Sequence, residues 1–256
     1  MELDLEVALE RVLENGDEWQ SWRGLALAAR LEKTEGPEAS PPTHPDQDES
    51  GGIRGPGGRP SPGATGEGLC HLKFIGLGGS ETANRAAVWL SSARTPAMAW
   101  LDSPDDVPGD LDTPAAGRVW ATASAACGLL AVGRDAGPRA IDLLRGEADM
   151  EGRFTGGAYT SFAAAGAYWL AEGPQTEMAE WALRWARASA EDWWGVEERA
   201  SALTFWAAAG IPAEHPTVER FIEEMLTDAP EPRGWPDLEI TLLVLELGSH
   251  FGAYSA

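Results

Sequence analysis

The sequence predicts an all-α fold: an α/α toroid or open horseshoe of about five helical hairpins, with outer amphipathic and inner apolar helices. Three observations lead there. Phe154, Trp194 and Trp235 stand 40 and 41 residues apart, each beside glycine in a turn-like string: Glu151-Gly-Arg-Phe-Thr-Gly-Gly157, Asp192-Trp-Trp-Gly195 and Arg233-Gly-Trp-Pro-Asp237. A second register keeps step, with Ile141, Trp181 and Phe221 spaced by 40, and Gly133, Gly173 and Gly210 close apolar stretches at nearly the same interval. A fixed period near 40 means one supersecondary unit copied along the chain. The third observation is an alternation of helix types. Ala179-Glu-Trp-Ala-Leu-Arg-Trp-Ala-Arg187 and Val218-Glu-Arg-Phe-Ile-Glu-Glu-Met225 carry charge on one face, whereas Ser161-Phe-Ala-Ala-Ala-Gly-Ala-Tyr-Trp-Leu170 and Ala202-Leu-Thr-Phe-Trp-Ala-Ala-Ala-Gly210 are apolar nearly all round. A helix apolar on every face must be buried on every face, so the two types form an exposed and an enclosed layer.

Element by element, residues 4–15 place Leu5, Ala8, Leu9, Val12 and Leu13 at helical spacing. Trp19 and Trp22 follow, then a helix from Arg23 to Leu31. Residues 35–68 interrupt the pattern with Pro41-Pro42, Gly51-Gly52 and Gly55-Pro-Gly-Gly58. Ile53 is the one large apolar residue there, too little burial to offset ordering entropy, which predicts a flexible insertion within a single domain, 1–256. Unit two pairs a helix at 82–93, followed by Trp100, with one from Ala115 to Gly133. Unit three pairs 138–147 with 158–171. Unit four pairs 176–190, N-capped by Thr176, with 198–209. Unit five starts at His215-Pro216, with proline at a first helical position, and its partner follows the N-cap Asp237 to Gly248.

Composition bounds the partners. With 41 acidic and 19 basic residues among 256, the net charge of −22 opposes nucleic acid and anionic lipid. Met-Glu-Leu-Asp-Leu-Glu is acidic from its second residue, unlike a signal peptide. The longest uncharged stretch, Phe154 to Ala171, is 18 residues but holds three glycines and several hydroxyls, so it reads as a buried helix and not a transmembrane segment. These features predict a cytoplasmic protein. Cys70 and Cys127 lack zinc or redox spacing, and Cys127 reads as a small buried apolar residue.

Leu143-Leu-Arg-Gly-Glu-Ala-Asp-Met-Glu-Gly-Arg-Phe154 resembles the repeat shared by squalene and terpene cyclases and protein prenyltransferase β subunits, with Glu147 where that repeat usually has Gln. Arg233-Gly-Trp-Pro-Asp237 and Trp193-Trp-Gly195 look like weaker copies. The resemblance implies an α/α toroid and a hydrophobic, isoprenoid-like ligand in a central cavity. The chemical motifs of that superfamily are missing. The nearest string to Asp-x-Asp-Asp is Asp102-Ser-Pro-Asp-Asp106, with Ser103 at the first Asp; no Asp lies two residues before either cysteine; and Cys127-Gly128 continues as Leu129-Leu130, unlike the thioester motif of complement domains.

Three groups are candidate sites. Asp102, Asp105 and Asp106, followed by Asp110 and Asp112, lie in an extended connection; carboxylates so clustered suit Mg²⁺ beside a diphosphate, or a proton donor, and equally a solvated acidic loop. Tyr159, Phe162, Phe205 and Trp206 lie on inner helices and would either line a ligand cavity or pack as core. Glu198 and Arg199 begin an inner helix, where they face a toroid mouth or serve as ordinary N-terminal charge. Three function classes follow: a binder of, or enzyme acting on, an isoprenoid-like molecule; a non-catalytic scaffold for a partner protein; and a carbohydrate-active α/α barrel.

Overall fold

Capping residues and apolar spacing set the helices where the sequence expects most of them. The computed structural model describes residues 3–108, 114–174, 176–190 and 194–254. The regular structure of these residues is α1 (Leu5–Asn15), α2 (Glu18–Glu32), α3 (Pro62–Phe74), α4 (Glu81–Ser92), a 3-10 turn (Pro104–Asp106), α5 (Pro114–Ala131), α6 (Pro138–Glu147), α7 (Gly157–Glu172), α8 (Glu177–Ser189), α9 (Val196–Ala209), α10 (Pro216–Thr227) and α11 (Leu238–His250). Among the described residues there are isolated β-bridges but no strands. No helix among them is long and apolar enough to cross a membrane. The chain is all-α.

Local chemistry accounts for the boundaries. Asp17 and Gln20 form a reciprocal capping box that starts α2 ahead of Trp19, earlier than the spacing alone suggests. Pro138 opens α6 and Pro216 opens α10, where a missing N–H costs nothing. His215 Nδ1 accepts the Thr217 N–H and Asp237 accepts the Glu239 N–H, as expected for caps. Thr176 stands at the N-cap of α8, but its hydroxyl donates to Glu172 instead.

The chain groups into two compact units. One comprises residues 1–45, 194–203 and 212–256, and the other 46–193 and 204–211. The first contains α1, α2, α10, α11 and the N-terminal part of α9. Its core includes Val12, Trp19, Leu27, Trp194, Phe221, Met225 and Leu245. The second packs α3 on α5, α5 on α7 and α7 on α8. Residues 119–129 of α5 and 160–168 of α7 are buried without a break, whereas α8 and α10 each keep a solvated face. The two helix types are those read from the sequence.

Helix α3 was not expected, and it corrects the extent of the insertion. Ser61 accepts the Ala64 N–H and Pro62 takes the first helical position, so the last residues of the 35–68 stretch are helix. Upstream, Gln47 bridges to Ile53 and Arg54 to Pro60. Ile53 is buried, its N–H donates to Thr65 Oγ1 at 2.9 Å, and Gly52 approaches Trp89 so closely that a Cβ would overlap the indole. The glycines that look like linker composition let this segment lie against its unit.

Glycine also sets the α3–α5 contact. A Cβ on Gly66 would overlap the Ser124 carbonyl, and one on Gly128 would overlap the Gly66 carbonyl. One turn along, the Cys70 and Cys127 Sγ atoms are 3.6 Å apart and fully buried as free thiols. Gly66→Ala is expected to force the helices apart and to destabilise the protein by about 1–3 kcal/mol, as overpacking of a close contact does. Urea unfolding measures it; an unchanged midpoint would contradict this contact.

Candidate functional site

The acidic connection splits into different environments. Asp105 is exposed, Asp110 and Asp112 lie outside the described residues, and Asp102 and Asp106 are buried, each 5% exposed. Asp102 Oδ2 accepts the Gly63 N–H at 2.9 Å, at the N-terminus of α3 where a negative charge is favoured. Asp106 Oδ1 accepts the Gly57 N–H at 2.9 Å, and its Oδ2 lies 3.8 Å from the Arg59 guanidinium. Burial pushes the Asp102 carboxyl up to about 7, against the opposing pull of the Ser61 hydroxyl and the Gly63 N–H, and Asp106 adds to the rise. Two of the three candidate carboxylates are therefore engaged with the Gly-rich segment 55–63, and the third points to solvent. Among the described residues no three His, Cys, Asp or Glu side chains converge as a metal-binding group.

The aromatic candidates come together, but against one another. Tyr159 and Phe162 of α7 meet edge to face at 6.0 Å, Phe162 meets Trp206 of α9 at 5.9 Å, and Trp120 of α5 meets both Tyr159 and Phe205. Trp206 Nε1 donates to the Phe162 carbonyl at 3.2 Å. Phe162, Phe205 and Trp206 have no solvent exposure, and Tyr159 is half-buried. These are the offset geometries that stabilise packed aromatic cores.

Glu198 and Arg199 also have local partners. Glu198 accepts the Gly195 N–H at 2.8 Å, closing the start of α9. Arg199 is 6% exposed and reaches Glu224 at 3.0 Å and Asp228 at 2.7 Å, tying α9 to α10.

Two features were missed. Arg23, in the middle of α2, is fully buried beneath Glu239 and Glu246 of α11. The second is a hydroxyl register. The Trp100 N–H donates to Thr122, the Phe154 N–H to Ser161 and the Trp235 N–H to Thr241, each hydroxyl sitting on the following buried helix. With Ser201, these hydroxyls are spaced by 39, 40 and 40 residues, a repeat visible in the sequence beside the aromatic one.

Clefts lie at the surface of the first unit. One of about 460 Å³ runs beside α1, but its Arg11 guanidinium is already spent on the carbonyls of Arg233, Trp235 and Pro236. Another, of about 430 Å³, is lined by Ile222 of α10 and the half-buried Phe251. Exposed Glu214, Glu219 and Glu223 also line it. Comparison with known proteins gives no matching family model and no matching curated relative.

Proposed function

We propose that this chain is a non-catalytic helical-repeat scaffold that binds a basic segment of a partner protein in the Ile222–Phe251 cleft. The observation that carries the reading is the cleft itself, lined by Ile222 and Phe251 together with Glu214, Glu219 and Glu223. An arginine or lysine on either side of an apolar side chain would complement it in both charge and hydrophobicity. Support also comes from the other candidates: the buried aspartates bond backbone N–H groups, and the candidate cavity aromatics fill space with each other. The α/α-toroid arrangement implied by the repeat belongs to the same proposal, as a frame that presents helix ends and connecting turns.

The test uses a fluorescent amphipathic peptide of arginine and leucine. Substituting Glu214, Glu219 and Glu223 together by glutamine is expected to weaken its binding at least tenfold, an effect on the order of 1.4 kcal/mol. Substituting Glu32, Glu35 and Glu38, which are exposed elsewhere, makes the same change in net charge. Equal weakening by both variants would mean general attraction to an acidic surface and would defeat the proposal. A thermal shift with prenyl diphosphate and Mg²⁺ in the absence of peptide binding would instead favour the isoprenoid reading.

A further inference from the structure

We propose that Asp102 and Asp106 form an acid-tightened clasp that holds residues 55–63 against their own unit and loosens as pH rises toward neutrality. The clasp rests on geometry. Both carboxylates are buried, they lie four residues apart, Asp106 in the 3-10 turn and Asp102 just before it, and both accept backbone N–H groups from the same Gly-rich segment, at Gly57 and Gly63. Glycine is required at the second contact, because a Cβ on Gly63 would overlap both Trp120 Nε1 and Asp102 Oδ2. Those two groups therefore crowd the same point.

Asp102 is under-compensated when it is charged. Asp102 Oδ1 and Trp120 Nε1 are each shielded from solvent and without a hydrogen-bond partner. An ionised Asp102 has thus lost hydration at one oxygen without replacement. The Ser61 hydroxyl and the Gly63 N–H at the α3 N-terminus favour the charge but do not outweigh burial, and the surrounding charges do not repair this. Asp105 and Asp106 on the same turn are of like sign. Arg59, on the clasped segment, is in ion-pair range of Asp106 but is 62% exposed. Glu67 is the acidic residue of α3, and Arg118 of α5 pairs with Glu147 at 2.8 Å.

The sign follows from proton uptake. In the closed clasp burial raises the Asp102 carboxyl to about 7, whereas in an open segment it returns to its ordinary value of 3.8. Between these values the closed form holds a proton that the open form lacks, so closure is strongest near pH 4 and its advantage declines up to pH 7. Above pH 7 both forms are ionised and the dependence levels off. The proton passes to solvent and no other bond changes.

Hydrogen exchange at the Gly57 and Gly63 amides reads the clasp directly. After division by intrinsic exchange rates, the opening constant is expected to rise about 50-fold from pH 5 to pH 7, near tenfold per unit through the middle of the window. Asp102→Asn keeps an acceptor for the Gly63 N–H and removes the titration, so its opening constant should be flat across that window. Carbon-13 NMR titration of the Asp102 carboxyl in the wild-type protein needs no variant and should give a midpoint near 7. A midpoint near 4, or the same pH dependence in Asp102→Asn as in wild type, would overturn the proposal.

Discussion

Replacing Arg23 by methionine is expected to destabilise the protein by about 3–5 kcal/mol, the cost of leaving a buried charge without its partner. Arg23 is 1% exposed. Its Nε and Nη2 grip the two oxygens of Glu246 at 2.9 and 2.7 Å, and Nη1 bonds Glu239. Trp19 stacks on the guanidinium at 5.8 Å. Burial alone would drive the guanidinium toward neutrality, yet Glu246 and Glu239 hold its affinity for protons above the ordinary value. The leg to Glu246 carries the effect, because Glu246 is as buried as Arg23, whereas Glu239 is 44% exposed and can rehydrate. Arg23→Lys keeps the charge but loses the two-pronged contact, and a substantial part of the loss should remain. Pairing Arg23→Met with Glu246→Leu should restore most of the stability, since the pair is then replaced by apolar volume. Urea unfolding of the two single variants and the double variant closes the cycle; additive losses would show that the two side chains do not act as one unit.

This ion pair also marks where sequence reasoning stops. The helices were legible because their signals are local: apolar spacing and Pro at first turns recover α6 and α10 closely, and the Asp237 cap recovers the start of α11. Arg23 carried a weaker local signal, four residues from both Trp19 and Leu27 on the apolar face of α2, but its partners are more than 200 residues away in the chain. The Gly-rich segment was misjudged for the opposite reason. Its composition is that of a linker, and the contacts that hold it, Asp102 to Gly63 and Asp106 to Gly57, span 39 and 49 residues. The Ser61-Pro62 start of α3 was readable, yet the surrounding glycines masked it. The candidate aspartates stand out in the sequence by their density. Whether a carboxylate faces a ligand or a backbone N–H, however, depends on chain approach that spacing does not encode. The hydroxyl register of Thr122, Ser161, Ser201 and Thr241 was open to the same periodic search as the aromatics, but single polar residues in apolar helices draw less notice than tryptophans.

Phe154→Ala and Trp194→Ala are each expected to cost about 3–5 kcal/mol, whereas Trp235→Ala should cost clearly less. The three occupy equivalent places in the 40-residue period, so any difference between them isolates burial from position. Phe154 is 1% exposed and packs on Tyr168 with ring centroids 6.1 Å apart. Trp194 is 2% exposed and meets Phe221 edge to face at 6.1 Å. Trp235 is only half-buried, so truncation leaves a recess that water can enter and not a sealed cavity. The turns themselves are fixed by other means: Gly152 and Gly234 take φ of +89° and +94°, and Ser161 and Thr241 accept the N–H groups of Phe154 and Trp235. These bonds survive truncation of the ring, so the loss measured is packing rather than collapse of the turn. Phe154→Leu should then recover a good part of the Phe154→Ala loss by refilling volume. Chemical denaturation of the four variants ranks them, and a Trp235→Ala loss equal to that of Trp194→Ala would show that the repeat position, and not its burial, sets the cost.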